Sequence, residues 1–187
     1  MDLMQILDDV LLIPESSKQL LASHFEMLQG SKGQVLFRTQ TIGRSLYFLS
    51  QGLARAYTLL DGLEVTFWFG WEGSPLLSMK GYVAKEYSYE DLELLEDSVL
   101  FRIHADVLQG LFASDIHIAN WGRVFAEKEL AKAEERLISR QVKTAEVRYR
   151  ELIATYPDIL LRAPLRHIAS YLGVTPVTLS RIRANIS

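Results

Sequence analysis

Cations and hydroxyls gather near the C-terminal end of this chain in an order that suits nucleic acid. Arg166 and His167 are followed by Thr175, Pro176, Val177, Thr178, Ser180, Arg181 and Arg183. A guanidinium can fork onto a guanine edge or pair with phosphate, a hydroxyl can donate to phosphate, and a valine can pack on a thymine methyl. The rest of the chain offers little for covalent chemistry. It has no cysteine, which removes disulfides, thiol catalysis and cysteine-ligated iron–sulfur clusters together. His24, His104, His117 and His167 are scattered, without the close His spacing that a cupin-like metalloenzyme would draw from facing strands. Neither a nucleophile elbow nor a phosphate-cradling glycine loop is present. The pairs Glu93/Glu96 and Glu134/Glu135 read as solvated charge. The expectation is a protein that is not an enzyme and carries no metal.

The C-terminal residues need two helices to position them, and HIASYLGVTPVTLSRIR (167–183) supplies the pattern. A helix-turn-helix crosses two short helices steeply, so it needs a small residue at the crossing, a left-handed turn residue and apolar inner faces. Ala169 is the small residue and Gly173 the turn. Ile168, Leu172, Val174, Leu179 and Ile182 supply the apolar positions. Thr175 is a good N-cap, and Pro176 suits the first helical position, where its missing N–H costs nothing. A helical hairpin that binds nothing is the alternative, but it explains fewer of these coincidences.

Further upstream the periodicity changes twice. Between Gln5 and Gln29 the apolar spacing is helical, broken at Ile13-Pro14. From Ser31, short runs such as KGQVLFRT, RSLYFLSQG, LARAYTLL and LEVTFWFG alternate with glycines, and Asp61-Gly62 marks a hairpin. SVLFRIH at 98–104 adds another strand, so an antiparallel sandwich or roll is expected. From about residue 115 to 143 only Gly122 weakens a helical pattern. A helix of that length with Ile118, Trp121, Phe125, Leu130, Leu137 and Ile138 near one side asks for a partner helix, although Lys128 and Glu135 interrupt the seam. A shorter helix should follow, over about Thr144 to Thr155.

The organisation expected is an α+β chain in three parts. Residues 1–113 form an antiparallel jelly-roll sensor with N-terminal helices, 114–143 a long dimerisation helix, and 144–187 an all-α helix-turn-helix domain. Charge divides the same way. Residues 1–120 hold eight Lys/Arg against sixteen Asp/Glu, and the remainder holds twelve against seven. A basic end on an acidic body places the phosphate-seeking part at the C-terminus. No apolar run is long enough to span a bilayer, and the acidic start argues against a secretory leader, so a cytoplasmic protein is expected.

KGQVLFR, SLYFLSQGLARAY, DGLEVTFWF, LLED and above all VRYRELIATYPDILLRAPLRHIASYLGVTPVTLSRIR resemble one branch of the Crp/Fnr family of bacterial transcription regulators. The likeness runs over nearly the whole chain. It implies a cyclic-nucleotide-binding-like roll, a dimer helix and a DNA-binding helix-turn-helix. Double-stranded DNA, a second copy of the chain and RNA polymerase are the partners it implies. Relatives in that branch carry Glu where this chain has Val177; glutamate can accept from cytosine N4 and valine cannot, so a different base preference is expected. With four residues after Arg183, phosphate contacts are expected from Arg162, Arg166, His167 and the recognition helix itself.

In that family an arginine pairs with the cyclic phosphate. Here no arginine occurs between Arg55 and Arg102, and residues 69–97 carry seven carboxylates against Lys80 and Lys85. A cyclic nucleotide is therefore not expected as the cofactor. Another small-molecule effector in the roll would be lined by residues such as Tyr57, Trp68, Glu72, Ser78, Tyr89 and Trp121, unless these simply fill the core. The competing readings are a small-molecule-binding or protein-interaction module with a non-functional helix-turn-helix, and a cyclic-nucleotide-responsive regulator.

Overall fold

The computed structural model describes residues 1–186. Two short helices lead, α1 (Leu3–Val10) and α2 (Glu15–Ser23), separated at Ile13-Pro14 as the sequence suggests. Asp2 caps α1 by accepting from the Gln5 N–H at 2.9 Å, which satisfies one of the orphan donors of a helix start. The helical reading runs too far, however. Glu26–Gly30 is a strand, β1, paired antiparallel with β8 (Ser98–His104). Met27 faces solvent while Leu28 packs inward. That alternation is too short to announce itself against the helical spacing before it, and pairing with β8 decides the conformation.

Between them lie β2 (Val35–Phe37), β3 (Ser45–Gln51), β4 (Ala54–Leu60), β5 (Leu63–Gly70), β6 (Pro75–Leu76) and β7 (Asp91–Leu94). They form two four-stranded sheets, in the orders β1-β8-β3-β6 and β2-β7-β4-β5, with every pairing antiparallel. Leu49, Ala54, Leu76, Leu92, Leu94 and Leu100 close the space between the sheets. Asp61 and Gly62 both take positive φ in the β4–β5 hairpin, as a tight hairpin turn requires. A π-helical turn, Lys80–Ala84, leads from β6 toward β7. Its Gly81 lies so close to the backbone of Gly43 that a Cβ there would sit 2.6 Å from it.

The helical half begins with α3 (Ala105–Ser114) and the 27-residue α4 (Ile116–Val142). Asp115 caps α4 through the His117 and Ile118 N–H groups and also accepts the Ser17 hydroxyl at 2.8 Å. Then follow α5 (Ala145–Thr155), α6 (Ile159–Arg162), α7 (Leu165–Leu172) and α8 (Pro176–Ile186). Ile118 and Trp121 are fully buried, and Phe125 packs beside them against α1, α2 and β3. The Trp121 indole donates to the Leu7 carbonyl at 2.9 Å. These three residues hold α4 to its own roll and so are not part of a seam open to a partner. Leu130, Leu137 and Ile138 are exposed. They lie on other sides of the helix, which separates what the sequence pattern had merged into one stripe.

Candidate nucleic-acid interface

Helices α7 and α8 meet the packing demands of a helix-turn-helix residue by residue. Ile168, Ala169, Leu172 and Leu179 are all within 1% of full burial, and Val174 and Ile182 pack at their edge. Gly173 adopts φ 69°, ψ 33°. Its N–H donates to Ser170 O, and the Val174 N–H reaches back to Ala169 O, a Schellman closure that needs a left-handed residue. The Thr175 hydroxyl accepts from the Thr178 N–H at 3.1 Å and so caps α8. The cap leaves Thr175, Pro176, Val177, Thr178, Ser180, Arg181 and Arg183 exposed on the outside of α8. The Ser180 hydroxyl donates to the Pro176 carbonyl, which occupies its proton within the helix.

Arg166 is exposed, but two neighbours expected beside it turn elsewhere. His167 is 4% exposed, and its Nδ1 lies 2.8 Å from Arg55 Nη1. Arginine can only donate, so Nδ1 accepts and the imidazole is neutral. Burial, then the charges of Arg55 and Arg166, push its pKa down to about 4. Arg162 is taken up by Glu96 and Glu72; these partners raise its pKa and spend its fork inside the protein. Neither side chain faces a phosphate in this arrangement.

The reason is that α7 lies flat on the outside of the β2-β7-β4-β5 sheet. Ser170 substitutes for a missing strand at the β5 edge: its hydroxyl accepts from the Thr66 N–H at 2.9 Å and donates to the Glu64 carbonyl at 3.2 Å. Unpaired edge groups are thereby satisfied by one side chain. Arg55 is 2% exposed and bonds Glu93, Glu64, Thr66 and His167, with its guanidinium 4.1 Å from the centre of the Tyr57 ring. Phe69 packs edge-on to Tyr171, and Trp71 lies against Tyr156. Leu53, Phe69 and Leu95 of the roll share one core with Tyr149, Leu152, Ile159 and Ile168 of the C-terminal helices. A groove of about 920 Å³ remains between the β4–β5 hairpin and the start of α8, bordered by Glu64, Arg140, Arg166, Thr175 and Thr178.

This arrangement of two antiparallel sheets, a long helix and a C-terminal helix-turn-helix occurs in solved structures. The chain superposes on FixK2 from Bradyrhizobium japonicum with a TM-score of 0.73 at 22% identity, covering 87% of this chain and 84% of that one. A protein assigned to the Crp/Fnr family from Eubacterium rectale gives 0.71 at 17% identity, over 92% and 83% of the two chains. Its fold is the Crp/Fnr fold. The c-di-GMP-responsive global regulator CLP of Xanthomonas campestris shares it at 14% identity, with a TM-score of 0.68 and coverage of 92% and 91%. No sequence-family model matches the chain, and neither does any curated protein sequence.

Within the Crp/Fnr fold of this chain, the residues expected to line an effector pocket do not surround one space. Trp121 is sealed beneath α1, and Ser78 bonds the buried Ser88 hydroxyl at 2.8 Å. Tyr57 stands on the outer sheet face and donates to Asp91 at 3.1 Å; burial, then Asp91, push its pKa up to about 12. Tyr89 is half exposed. Glu72 accepts from the Gly52 N–H and pairs with Arg162; burial works against its charge, but those bonds outweigh it and hold its pKa down. Trp68, by contrast, borders a cleft beside β5, α4 and α5. Among the described residues no cluster could hold a metal ion, and no helix is long and apolar enough to cross a membrane. Sequence reading missed Arg55, Ser170 and the Glu72–Arg162–Glu96 triad. An arginine inside the strand ARAYTLL was the one available signal, because a charge amid alternating apolar residues needs a buried partner.

Proposed function

We propose that the chain is a sequence-specific, double-stranded-DNA-binding transcription regulator that acts as a homodimer. The observation that carries this reading is the outside of α8: Thr175, Val177, Thr178 and Arg181 are exposed together, while Leu179 on its inner side is fully buried. The packing therefore presents a polar and cationic helix face of the kind that enters a major groove. Thr178 and Arg181 are assigned to base edges, Val177 to a thymine methyl, and Arg166 with Thr175 and Arg183 to the backbone.

The second copy docks along α4. Ala126, Leu130, Ala133 and Leu137 recur at heptad spacing on an exposed side of that helix, and small residues alternating with leucine suit a close parallel pair. Two recognition helices about 34 Å apart would then read a two-fold site. Residues 1–113 act as sensor, 114–143 as the dimer helix and 144–187 as reader, with RNA polymerase the downstream partner. The contact between α7 and the roll supports control by release. While it holds, Glu64 borders the groove beside Arg166 and Thr175, where a carboxylate repels phosphate.

Selection of binding sites from random duplexes, repeated over a range of salt, tests the reading. An enriched two-fold motif is expected. Equal retention of all sequences at every salt concentration would remove it, because only the sequence-independent backbone term would remain.

A further inference from the structure

A second opening, a cleft of about 430 Å³, lies between β5, α4 and α5, away from the interior of the roll and from the outer side of α8. Its wall from the roll is aromatic, with Phe67 and Trp71, and Tyr156 and Tyr171 continue that surface from the C-terminal helices. Its other wall is α4. The stripe of α4 that faces its own roll begins apolar, with Ile118, Trp121 and Phe125. Continued at the same helical spacing it becomes Glu129, Lys132, Arg136, Ser139 and Lys143, with Arg140 alongside. Had the gap been built to collapse, apolar residues would continue the stripe and close on the aromatic wall.

The charges around the cleft are not balanced. Lys132 pairs with Glu129 and Lys143 with Glu151, each at 2.7 Å. Arg148 is fixed by the carbonyls of Arg140, Lys143 and Leu172. Arg136 and Arg140 have no side-chain ion pair among the described residues, and Glu135 is the one carboxylate left near them. Two guanidinium groups thus stand over an aromatic wall with space between.

We infer that this cleft binds a small planar aromatic anion, its ring packed against the aromatic wall and its phosphate or carboxylate held by Arg136 and Arg140. The volume suits a molecule of mononucleotide size. Stacking and a paired guanidinium fork are the two interactions such a ligand uses most effectively. The site differs from the sensor pocket expected inside the roll. The binding itself does not depend on the DNA-reading assignment.

The test is calorimetric titration of the full chain, with no DNA present, against GMP and indole-3-acetate as aromatic phosphate and aromatic carboxylate. Guanosine and inorganic phosphate are the controls lacking one half of that chemistry. At least one aromatic anion is expected to saturate at one site per chain, with the controls at least tenfold weaker; which of the two binds distinguishes a nucleotide from an aromatic acid. Arg136→Ala/Arg140→Ala should weaken it tenfold or more, and Glu135→Lys should tighten it, a gain that a damaged fold would not give. Absence of saturable binding by both aromatic anions, or equal affinity in the wild-type and the double variant, overturns the inference.

Discussion

Arg55 on β4 donates to His167 on α7 across 2.8 Å, although 112 residues of sequence separate them. The bond works only while the imidazole is neutral, because a protonated ring has no acceptor and would set two cations against each other. Glu64 and Glu93 flank the pair and Arg166 stands nearby. Burial and the arginines outweigh those carboxylates. The bond that seats α7 on the roll is thus also a site where acid should unseat it.

The sign of that pH dependence follows from the shift. His167 has its pKa lowered to about 4 when docked, against an ordinary 6.5, so the released state binds the proton more readily. Docking is complete above pH 6.5 and weakens as pH falls from there toward 4, by up to about tenfold per pH unit. Amide exchange of α7 measured from pH 7.5 to 4.5 checks this. Protection that is flat over the range, or that rises with acid, would contradict it. His167→Gln should flatten the profile.

Loss of Arg162 removes the partner of both Glu72 and Glu96, which then face each other with less than full solvation. Arg162→Ala should release the C-terminal helices by about 1–2 kcal/mol, less than a deeply buried pair would cost because the site is partly open to water. Small-angle scattering is expected to report a larger radius of gyration than in the wild type.

Arg181→Ala and Arg166→Ala should part company. The first is expected to lose about 1–3 kcal/mol on the preferred duplex and to relax the base preference at one position per half-site. The second should weaken all duplexes alike and flatten the salt dependence by about one ion. Competition binding across single-base variants of the operator separates the two patterns, and identical profiles would reverse the assignment.

Gly173→Ala forces a Cβ into φ 69°, where steric room is not the problem but backbone strain is. A loss of about 1–2 kcal/mol in thermal or denaturant unfolding is expected. Leu130→Lys with Leu137→Lys addresses the seam proposed along α4. Both side chains are exposed in the single chain, so the fold should survive while sedimentation shifts from dimer to monomer.

Much of the helix-turn-helix was legible because its constraints are local. Ala169, Gly173, Thr175 and Pro176 each answer a demand set by residues within a turn or two. Strands β2 to β5 and β8 were legible for the same reason, from Asp61-Gly62 and the alternation around it, whereas β1, β6 and β7 were not. The docking face was not, since Ser170 bonding the β5 edge or Arg162 meeting Glu72 depends on residues 66 to 106 positions apart. Periodicity likewise merged two faces of α4. Ile118, Trp121 and Phe125 look like partners of Leu130 until the helix is turned and they prove to face another way.

Helix α4 is packed on the roll at its first turns and tied at its far end by polar contacts to α5. Its first turns are clamped by Trp121, and Lys128 still reaches the Asp9 carbonyl at 2.8 Å. Beyond that, the last helical residue Val142 is 72% exposed. At 1.5 Å per residue the distance from Trp121 to Val142 is about 30 Å. A tilt of about 5° at the clamp would therefore swing the far end by roughly 2.5 Å over that length, close to half a helical turn. Such a lever converts a side-chain-sized adjustment beneath α1 into a larger displacement where the C-terminal helices begin.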